Sequence, residues 1–160
     1  MRQPGDATVA RPPWPRPIAI CVFRKDDMIF VLEGQDTHKD ETFYRPLGGT
    51  IEFGELARQT VVRELQEEIG AEVTNLRFLG TLENLFTYEG ETGHEIVVIF
   101  EGDFLDRSLY GEVAIEGQED GGFAFTAVWK PLTLFRQGKA PLYPDGLLEL
   151  LSGDDPADFL

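Results

Sequence analysis

Three glutamates crowd the end of one amphipathic segment, in the stretch RELQEEIG from Arg63 to Gly70. Apolar residues recur at helical spacing from 55 to 69, which predicts a helix. At about 100° per residue, Glu64, Glu67 and Glu68 share one face, and an apolar stripe runs beside them. Like charges three or four positions apart each cost roughly 0.2 to 0.5 kcal/mol in a helix. The repulsion therefore indicates either a solvated acidic face or a face that holds a cation.

A pair of glycines, Gly48 and Gly49, comes shortly before this helix. Glycines permit a close approach of the backbone, and a turn at this point would aim carbonyl oxygens at the helix face. Hard divalent cations take carboxylate and carbonyl oxygens as ligands. Gly54 is predicted to cap the helix and Glu55 to lie in its first turn. The spacing from the glycines to the glutamates thus favours a metal site.

The composition limits the partners of the chain. It has 160 residues, enough for one domain, and a formal charge of −15 from 29 acidic and 14 basic side chains. Such a surface repels phosphate backbones, so we expect no nucleic-acid polymer as partner. Cys21 is the single cysteine, which excludes an intrachain disulfide. No apolar run is long enough to span a membrane or to form a signal peptide, which predicts a cytoplasmic protein without a membrane partner.

The chain is predicted to form one α+β domain over residues 18–153, between a Pro-rich N-terminal tail, 1–17, and a C-terminal tail, 154–160. Trp14 in the first tail is a candidate contact with the core or with a second subunit. The apolar run at 18–23 predicts a strand that pairs with 28–32 as a hairpin. The other expected elements are a loop at 34–41, a β-rich segment at 72–86, a turn at 87–93, strands at 95–101 and 123–129, an acidic segment at 103–122 and a closing helix at 142–151.

The stretch GGTIEFGELARQTVVRELQEEIGA resembles the Nudix box, G-x5-E-x7-R-E-U-x-E-E-x-G-U, where U is a bulky aliphatic residue. The positions that fit are Gly49, Glu55, Arg63, Glu64, Leu65, Glu67, Glu68 and Gly70. Ala71 is smaller than the aliphatic residue usual at the last position. The resemblance is looser outside the box but covers most of 17–151. It implies the Nudix fold, a mixed β-sheet sandwiched between α-helices.

The resemblance also implies a metal-dependent hydrolase that cleaves the pyrophosphate linkage of a nucleoside diphosphate joined to another group. Glu64, Glu67 and Glu68 would ligate Mg²⁺ or Mn²⁺, with the carbonyl of Gly48, and Arg63 would complete the catalytic set by pairing with Glu55. The substrate would be a small nucleotide: ADP-ribose, a nucleoside triphosphate, a dinucleoside polyphosphate or a nucleotide sugar. Members often form homodimers.

Three residues outside the box are weaker candidates for contact with the substrate. Arg45 could reach a phosphate or form a surface ion pair, and His94 could contact a phosphate or be a structural hydrogen-bond partner. Glu119 could act as general base from a loop or be a solvated acid, while Glu64 is the general-base candidate within the helix. Glu52 could add a further metal contact.

Two other functions compete with the hydrolase. A non-catalytic domain that senses a nucleotide is the first, but such a domain is expected to lose some of the acids of the box, and all are present. An acidic scaffold protein is the second, and it leaves the spacing of the glycines and glutamates unexplained.

Overall fold

The computed structural model describes residues 13–119 and 121–153. Within these residues the chain forms two β-sheets with helices packed against them. The elements in chain order are β1 (Arg16–Val22), β2 (Arg24–Lys25), β3 (Met28–Asp36), β4 (Glu41–Arg45), β5 (Leu47–Thr50), α1 (Ala57–Ile69), β6 (Val73–Tyr88), β7 (Glu91–Phe104), a 3-10 helix (Arg107–Gly111), β8 (Ala114–Gln118), β9 (Ala124–Pro131), α2 (Leu132–Arg136) and α3 (Leu147–Leu151).

The first sheet is mixed and the second is antiparallel. In the first sheet the strands lie in the order β5-β1-β7-β6, and β1 runs parallel to β7. The second sheet has the order β2-β3-β9-β8, with β4 also paired to β3. The expected α+β class with a mixed sheet is confirmed.

Alternate residues of β1 and β3 supply two separate hydrophobic clusters. In β1, Ile18 and Ile20 belong to one cluster and Ala19 and Cys21 to the other. Successive side chains of a strand point to opposite faces, so these strands are buried on both faces. The first cluster contains residues of α2 and α3, and the second contains Val61 and Leu65 of α1. Helices therefore cover both sides of the strands.

The predicted hairpin between 18–23 and 28–32 is wrong. β1 pairs with β5 and β7, whereas β3 lies in the other sheet. The hairpin is formed by the two-residue strand β2 with the start of β3. Because β1 and β3 are apolar on both faces, their sequence carried no alternation from which to infer their partners.

Several predicted loops are strands. Strand β3 continues through Asp36, so the loop expected at 34–41 is shorter. The turn expected at 87–93 is confined to Glu89 and Gly90 between β6 and β7. The acidic segment at 103–122 contains the 3-10 helix and β8, and the closing helix at 142–151 is helical only at 147–151.

Helix α1 begins at Ala57, two residues later than predicted. Leu56 precedes it, and the Leu56 N–H donates to Oε1 of Gln59 at 2.8 Å. Gly54 is therefore not the cap, and Glu55 lies outside the helix. The helix ends at Ile69 and is capped by Gly70, whose φ of 67° is the left-handed conformation that glycine favours at this position.

Strand β8 approaches the end of α1 closely at Gly117. A Cβ added at Gly117 would lie 2.8 Å from the carbonyl oxygen of Glu68. The absent side chain lets the β8–β9 hairpin pack directly on the helix terminus, which brings the residues that follow Gly117 beside the acidic face.

Strand β1 begins at Arg16, so Arg16 and Pro17 of the predicted tail belong to the sheet. Residues 13–15 of the predicted tail precede β1, residues 1–12 and 154–160 lie outside the described residues, and the domain limits stay a prediction. Among the described residues, no helix combines the length and the apolar character needed to cross a membrane.

Candidate active site

The three clustered glutamates of α1 differ in their exposure. Glu64 and Glu68 are 3% and 6% exposed, while the side chain of Glu67 is 49% exposed. Glu67 is solvated, as expected of an acidic surface, whereas Glu64 and Glu68 are not. The helix therefore carries a buried pair of carboxyl groups and one carboxylate at its rim.

Burial raises the pKa of Glu68 to about 9, and the hydrogen bond to Glu64 and the charge of Glu64 act in the same direction. A carboxyl group taken out of water resists ionisation, and a second acid beside it adds to the effect. In the absence of a cation this pair therefore retains a proton near neutral pH.

Gly49 provides the space that the Glu64 carboxylate occupies. A Cβ added at Gly49 would lie 2.5 Å from Oε1 and 2.8 Å from Oε2 of Glu64. Gly48 and Gly49 lie in strand β5, paired with Ile20 and Ala19 of β1, and not in the turn that the sequence predicted. An added Cβ at Gly48 would overlap the carbonyl oxygen of Ala19. Both glycines thus allow β5 to pass close to β1 on one side and to α1 on the other.

Arg63 joins the loop before α1 to the acidic face. Its Nε and Nη2 donate to Oε2 and Oε1 of Glu55 at 2.8 and 2.9 Å, a bidentate pair. Nη2 also donates to the carbonyl oxygen of Thr50 at 3.1 Å, and Nη1 donates to Glu64 at 2.9 Å and to Glu67 at 3.3 Å. One guanidinium group therefore holds the loop and two of the clustered acids. The pair of Arg63 with Glu55 is the one that the resemblance implied.

Glu55 is held ionised by the groups around it. Hydrogen bonds from Arg63, and then from the Thr60 hydroxyl at 2.6 Å, lower the pKa of Glu55 to about 2. The Glu52 N–H also donates to Glu55 at 3.3 Å, while the Glu52 carboxylate is exposed and lies 3.8 Å from Arg63. The Glu55 carboxylate thus holds the loop of 52–55 against α1 through Thr60 and Arg63.

Two of the weaker candidates lie near the buried pair. The charge of Arg45 lowers the pKa of Glu68 and the charge of Glu119 raises it, after the larger effects of burial and Glu64. Glu119 follows β8, and its N–H donates to the carbonyl oxygen of Phe123 at 2.8 Å, so it is held at the base of the β8–β9 turn. The charges of both residues therefore act on this face.

His94 lies elsewhere. It is an exposed residue of β7, opposite Leu85, and it lines a cavity with Trp14 and Phe86. The structure groups Arg45 and Glu119 with the acidic face and leaves His94 at this separate cavity.

Sequence reasoning did not single out Asn84 and Glu95, which are 4% and 5% exposed. They are Cα partners in the β6–β7 ladder, with side chains on the buried face of the sheet. The available signal was a polar residue at an inward position of each strand, which could be read only with the register in hand.

The residues present fit a divalent cation. Two buried carboxyl groups and one rim carboxylate offer the oxygen ligands that hard cations take, and Gly49 leaves the Glu64 carboxylate room beside the backbone. Among the described residues, Asp36, His38 and Glu89 form another group of candidate ligands, with ligand atoms within 4.8 Å of one another. There the Asp36 carboxylate accepts from the N–H groups of His38, Lys39 and Glu89. It therefore joins the loop after β3 to the turn between β6 and β7.

Comparison with known families gives one domain match that covers most of the chain. The family model of the NUDIX domain matches residues 13–146. A NAD-capped RNA hydrolase, NudC, of Klebsiella pneumoniae is 30% identical over 128 residues, which are 80% of this chain and 42% of that protein. NudC of Escherichia coli is 37% identical over 102 residues, 59% of this chain and 38% of that protein. The chain spans about half, or less, of the length of the curated relatives it matches.

A solved structure shares the fold. A NUDIX hydrolase from Nitrosomonas europaea superposes with a TM-score of 0.60 at 20% identity, covering 92% of this chain and 96% of that one. At this identity the likeness supports the fold alone, and the substrate has to be inferred from the residues of the site.

Proposed function

Because the chain belongs to the NUDIX domain family, we propose that it is a metal-dependent hydrolase of the pyrophosphate linkage in nucleoside diphosphate derivatives. The substrate would be a small nucleotide, such as ADP-ribose, a nucleoside triphosphate, a dinucleoside polyphosphate or a nucleotide sugar. We also propose that the protein acts in the cytoplasm.

The buried pair of Glu64 and Glu68 is the observation that carries the proposal. Burying two ionisable acids against each other is unfavourable for a protein without a ligand, and the raised pKa of Glu68 reflects that cost. Mg²⁺ or Mn²⁺ would relieve it, held by Glu64, Glu67 and Glu68 with the carbonyl of Gly48 as a further ligand. When bound, the cation neutralises phosphate charge and lowers the pKa of coordinated water.

The protein's own groups would orient and polarise the site. Arg63 holds the Glu64 and Glu67 carboxylates through Nη1, while its bidentate pair with Glu55 prevents it from turning away. Arg45, at the end of β4, would contact the substrate. Glu64 or Glu119 would accept the proton of the attacking water, and the nearness of Glu119 to Glu68 supports keeping both as candidates.

Metal binding is tested first without a substrate. We expect Mg²⁺ to raise the melting temperature, because an ion that binds only the folded state adds about 3 kcal/mol at 100 times its Kd. For a chain of this size that corresponds to roughly 6 to 12 °C. No shift at millimolar Mg²⁺ or Mn²⁺ would count against the site.

Activity is tested by phosphate release over a nucleotide panel with Mg²⁺ and Mn²⁺. The panel includes NAD and NAD-capped RNA, since two relatives carry the name of a NAD-capped RNA hydrolase. We expect the charge of −15 to disfavour the RNA. Glu67→Gln should lower turnover more than about tenfold, and Glu83→Gln, which changes an exposed carboxylate on β6, is the matched control. Full activity in Glu67→Gln would remove the helix from the mechanism.

A further inference from the structure

The inward face of the β6–β7 ladder changes from apolar to polar along its length. Leu82 pairs with Val97 within the first hydrophobic cluster, and the next inward pair is Asn84 with Glu95. Both members of this pair are more than nine-tenths buried. A buried polar pair at the end of a core needs partners, because an unpaired polar group out of water is costly.

Two polar atoms here lack those partners. Glu95 Oε2 and Arg45 Nε are buried and have no hydrogen-bond partner among the described residues. Glu95 Oε1 accepts from Asn84 Nδ2 at 3.4 Å, and Asn84 Oδ1 accepts from the Asp145 N–H at 3.4 Å. The amide of Asn84 is thus oriented with its N–H groups toward Glu95, and one of them is still available. Glu95 Oε2 thus offers an acceptor, and Asn84 Nδ2 and Arg45 Nε offer the two donors beside it.

These atoms line a cleft with aromatic walls, which we call the Glu95 cleft. Arg45, Asn84 and Glu95 are the polar residues at its inner end. Its other lining residues are polar ones, Asp36, Lys39, Glu41 and Thr87, and aromatic ones, Phe43, Phe86, Tyr88 and Tyr143. Aromatic rings beside a few convergent polar groups are typical of a site for a planar ligand.

The Glu95 cleft is narrow as it stands. The open volume between its walls is about 40 Å³, and a neighbouring cavity of about 240 Å³ shares Phe86 and Glu95 with it. Entry of a planar ring would require Phe86, a half-buried residue that lines both cavities, to move.

The Glu95 cleft lies next to the acidic face of α1. Arg45 lines the cleft, and its charge also acts on Glu68. Four residues beyond Arg45, Gly49 of β5 lies against the Glu64 carboxylate, so the segment from β4 to β5 joins the cleft to this face. A ligand that reaches Glu95 through the cleft would therefore extend toward the buried carboxyl pair.

We propose that the Glu95 cleft binds a guanine base, with Glu95 accepting hydrogen bonds from two neighbouring N–H groups of the base. Asn84 and Arg45 donate to the carbonyl oxygen on the same edge. The inference rests on the proposed function, because it selects guanine nucleotides among the substrates of the proposed hydrolase.

The donor and acceptor pattern distinguishes guanine from other ligands. A carboxylate accepts and does not donate, so it favours an edge with two N–H donors, which guanine has. Hypoxanthine keeps one ring N–H and the carbonyl but lacks the amino group. Adenine offers one amino group and no carbonyl, and the carboxamide of nicotinamide offers only one nitrogen as donor.

The test uses binding in EDTA, so that it does not depend on hydrolysis. Titration calorimetry measures GMP, IMP, AMP and nicotinamide mononucleotide with the wild type, with Glu95→Gln and with the control Glu83→Gln. We expect GMP to bind about tenfold more tightly than each of the others, the difference made by one charge-assisted hydrogen bond. In Glu95→Gln the preference of GMP over IMP should fall to about twofold, while Glu83→Gln should keep it.

Equal binding of the four nucleotides by the wild type, or preference for another one, would overturn the inference even if Glu95→Gln failed to fold. A preference for GMP that survives in a folded Glu95→Gln protein would also overturn it. Binding of GMP with the expected preference, together with no phosphate release from any nucleotide, would reject the proposed hydrolase and leave the guanine site supported.

Discussion

Replacing Glu68 with glutamine should stabilise the metal-free protein at neutral and alkaline pH. The pKa of Glu68 rises from the usual 4.5 to about 9, first because of burial and then because of Glu64. Between these two values the folded state binds more protons than the unfolded state, so the stability of the wild type falls as the pH rises. Glutamine resembles the protonated acid and removes this dependence.

The size of the effect follows from the difference in pKa. Each pH unit between about 4.5 and 9 lowers the stability of the wild type by about 1.4 kcal/mol. At pH 7 the advantage of Glu68→Gln should thus be about 3 kcal/mol, or roughly 6 to 12 °C in melting temperature. At pH 5 it should be below about 1 kcal/mol.

The assay is urea denaturation and thermal melting in EDTA at pH 5, 7 and 8.5. Glu67→Gln, which changes the exposed acid one position earlier on α1, should follow the wild type at every pH. Millimolar Mg²⁺ should reverse the order, because Glu68→Gln loses a ligand of the proposed metal. If Glu68→Gln were no more stable than the wild type at pH 8.5 in EDTA, the buried acid would not be the source of strain at this face.

Three further changes test the neighbouring contacts. Gly49→Ala should displace the Glu64 carboxylate, lower phosphate release more than about tenfold and cost about 1 to 3 kcal/mol in urea denaturation; an active, fully stable variant would contradict the close approach. Arg63→Lys should lose the bidentate pair with Glu55, and NMR titration should then show the pKa of Glu55 rising from about 2 toward its ordinary value; an unchanged pKa would exclude Arg63 as its cause. Leu65→Ala, at a fully buried position, should cost about 2 to 5 kcal/mol in urea denaturation, and a smaller loss would place it outside the core.

Local patterns predicted α1 better than they predicted the pairing of strands. The helix has a period that depends on nearby residues alone, so its presence and its acidic face could be inferred, although its start was displaced by two residues. β1 over 18–22 and β3 over 28–32 are apolar without alternation, and strands of that kind can lie in either sheet. Their partners depend on contacts between distant segments.

The candidate site shows the same division. The grouping of the glutamates and the pairing of Arg63 with Glu55 followed from spacing and from the family resemblance. The burial that separates Glu64 and Glu68 from Glu67 did not, since it depends on β5 and β8 packing against the helix. Asn84 and Glu95 were missed because the ladder register that faces them inward is shifted by a bulge near Gly80.

The contact of Gly117 with the end of α1 fixes how far Glu119 lies from the helix. Since the strand touches the carbonyl of Glu68 at Gly117, the distance from the helix to the acid two residues later is set by backbone geometry. The tip of the hairpin can then change in length or sequence while Glu119 keeps its position. A methyl group at Gly117 would instead lift the whole hairpin and carry that acid away, without altering any charged residue.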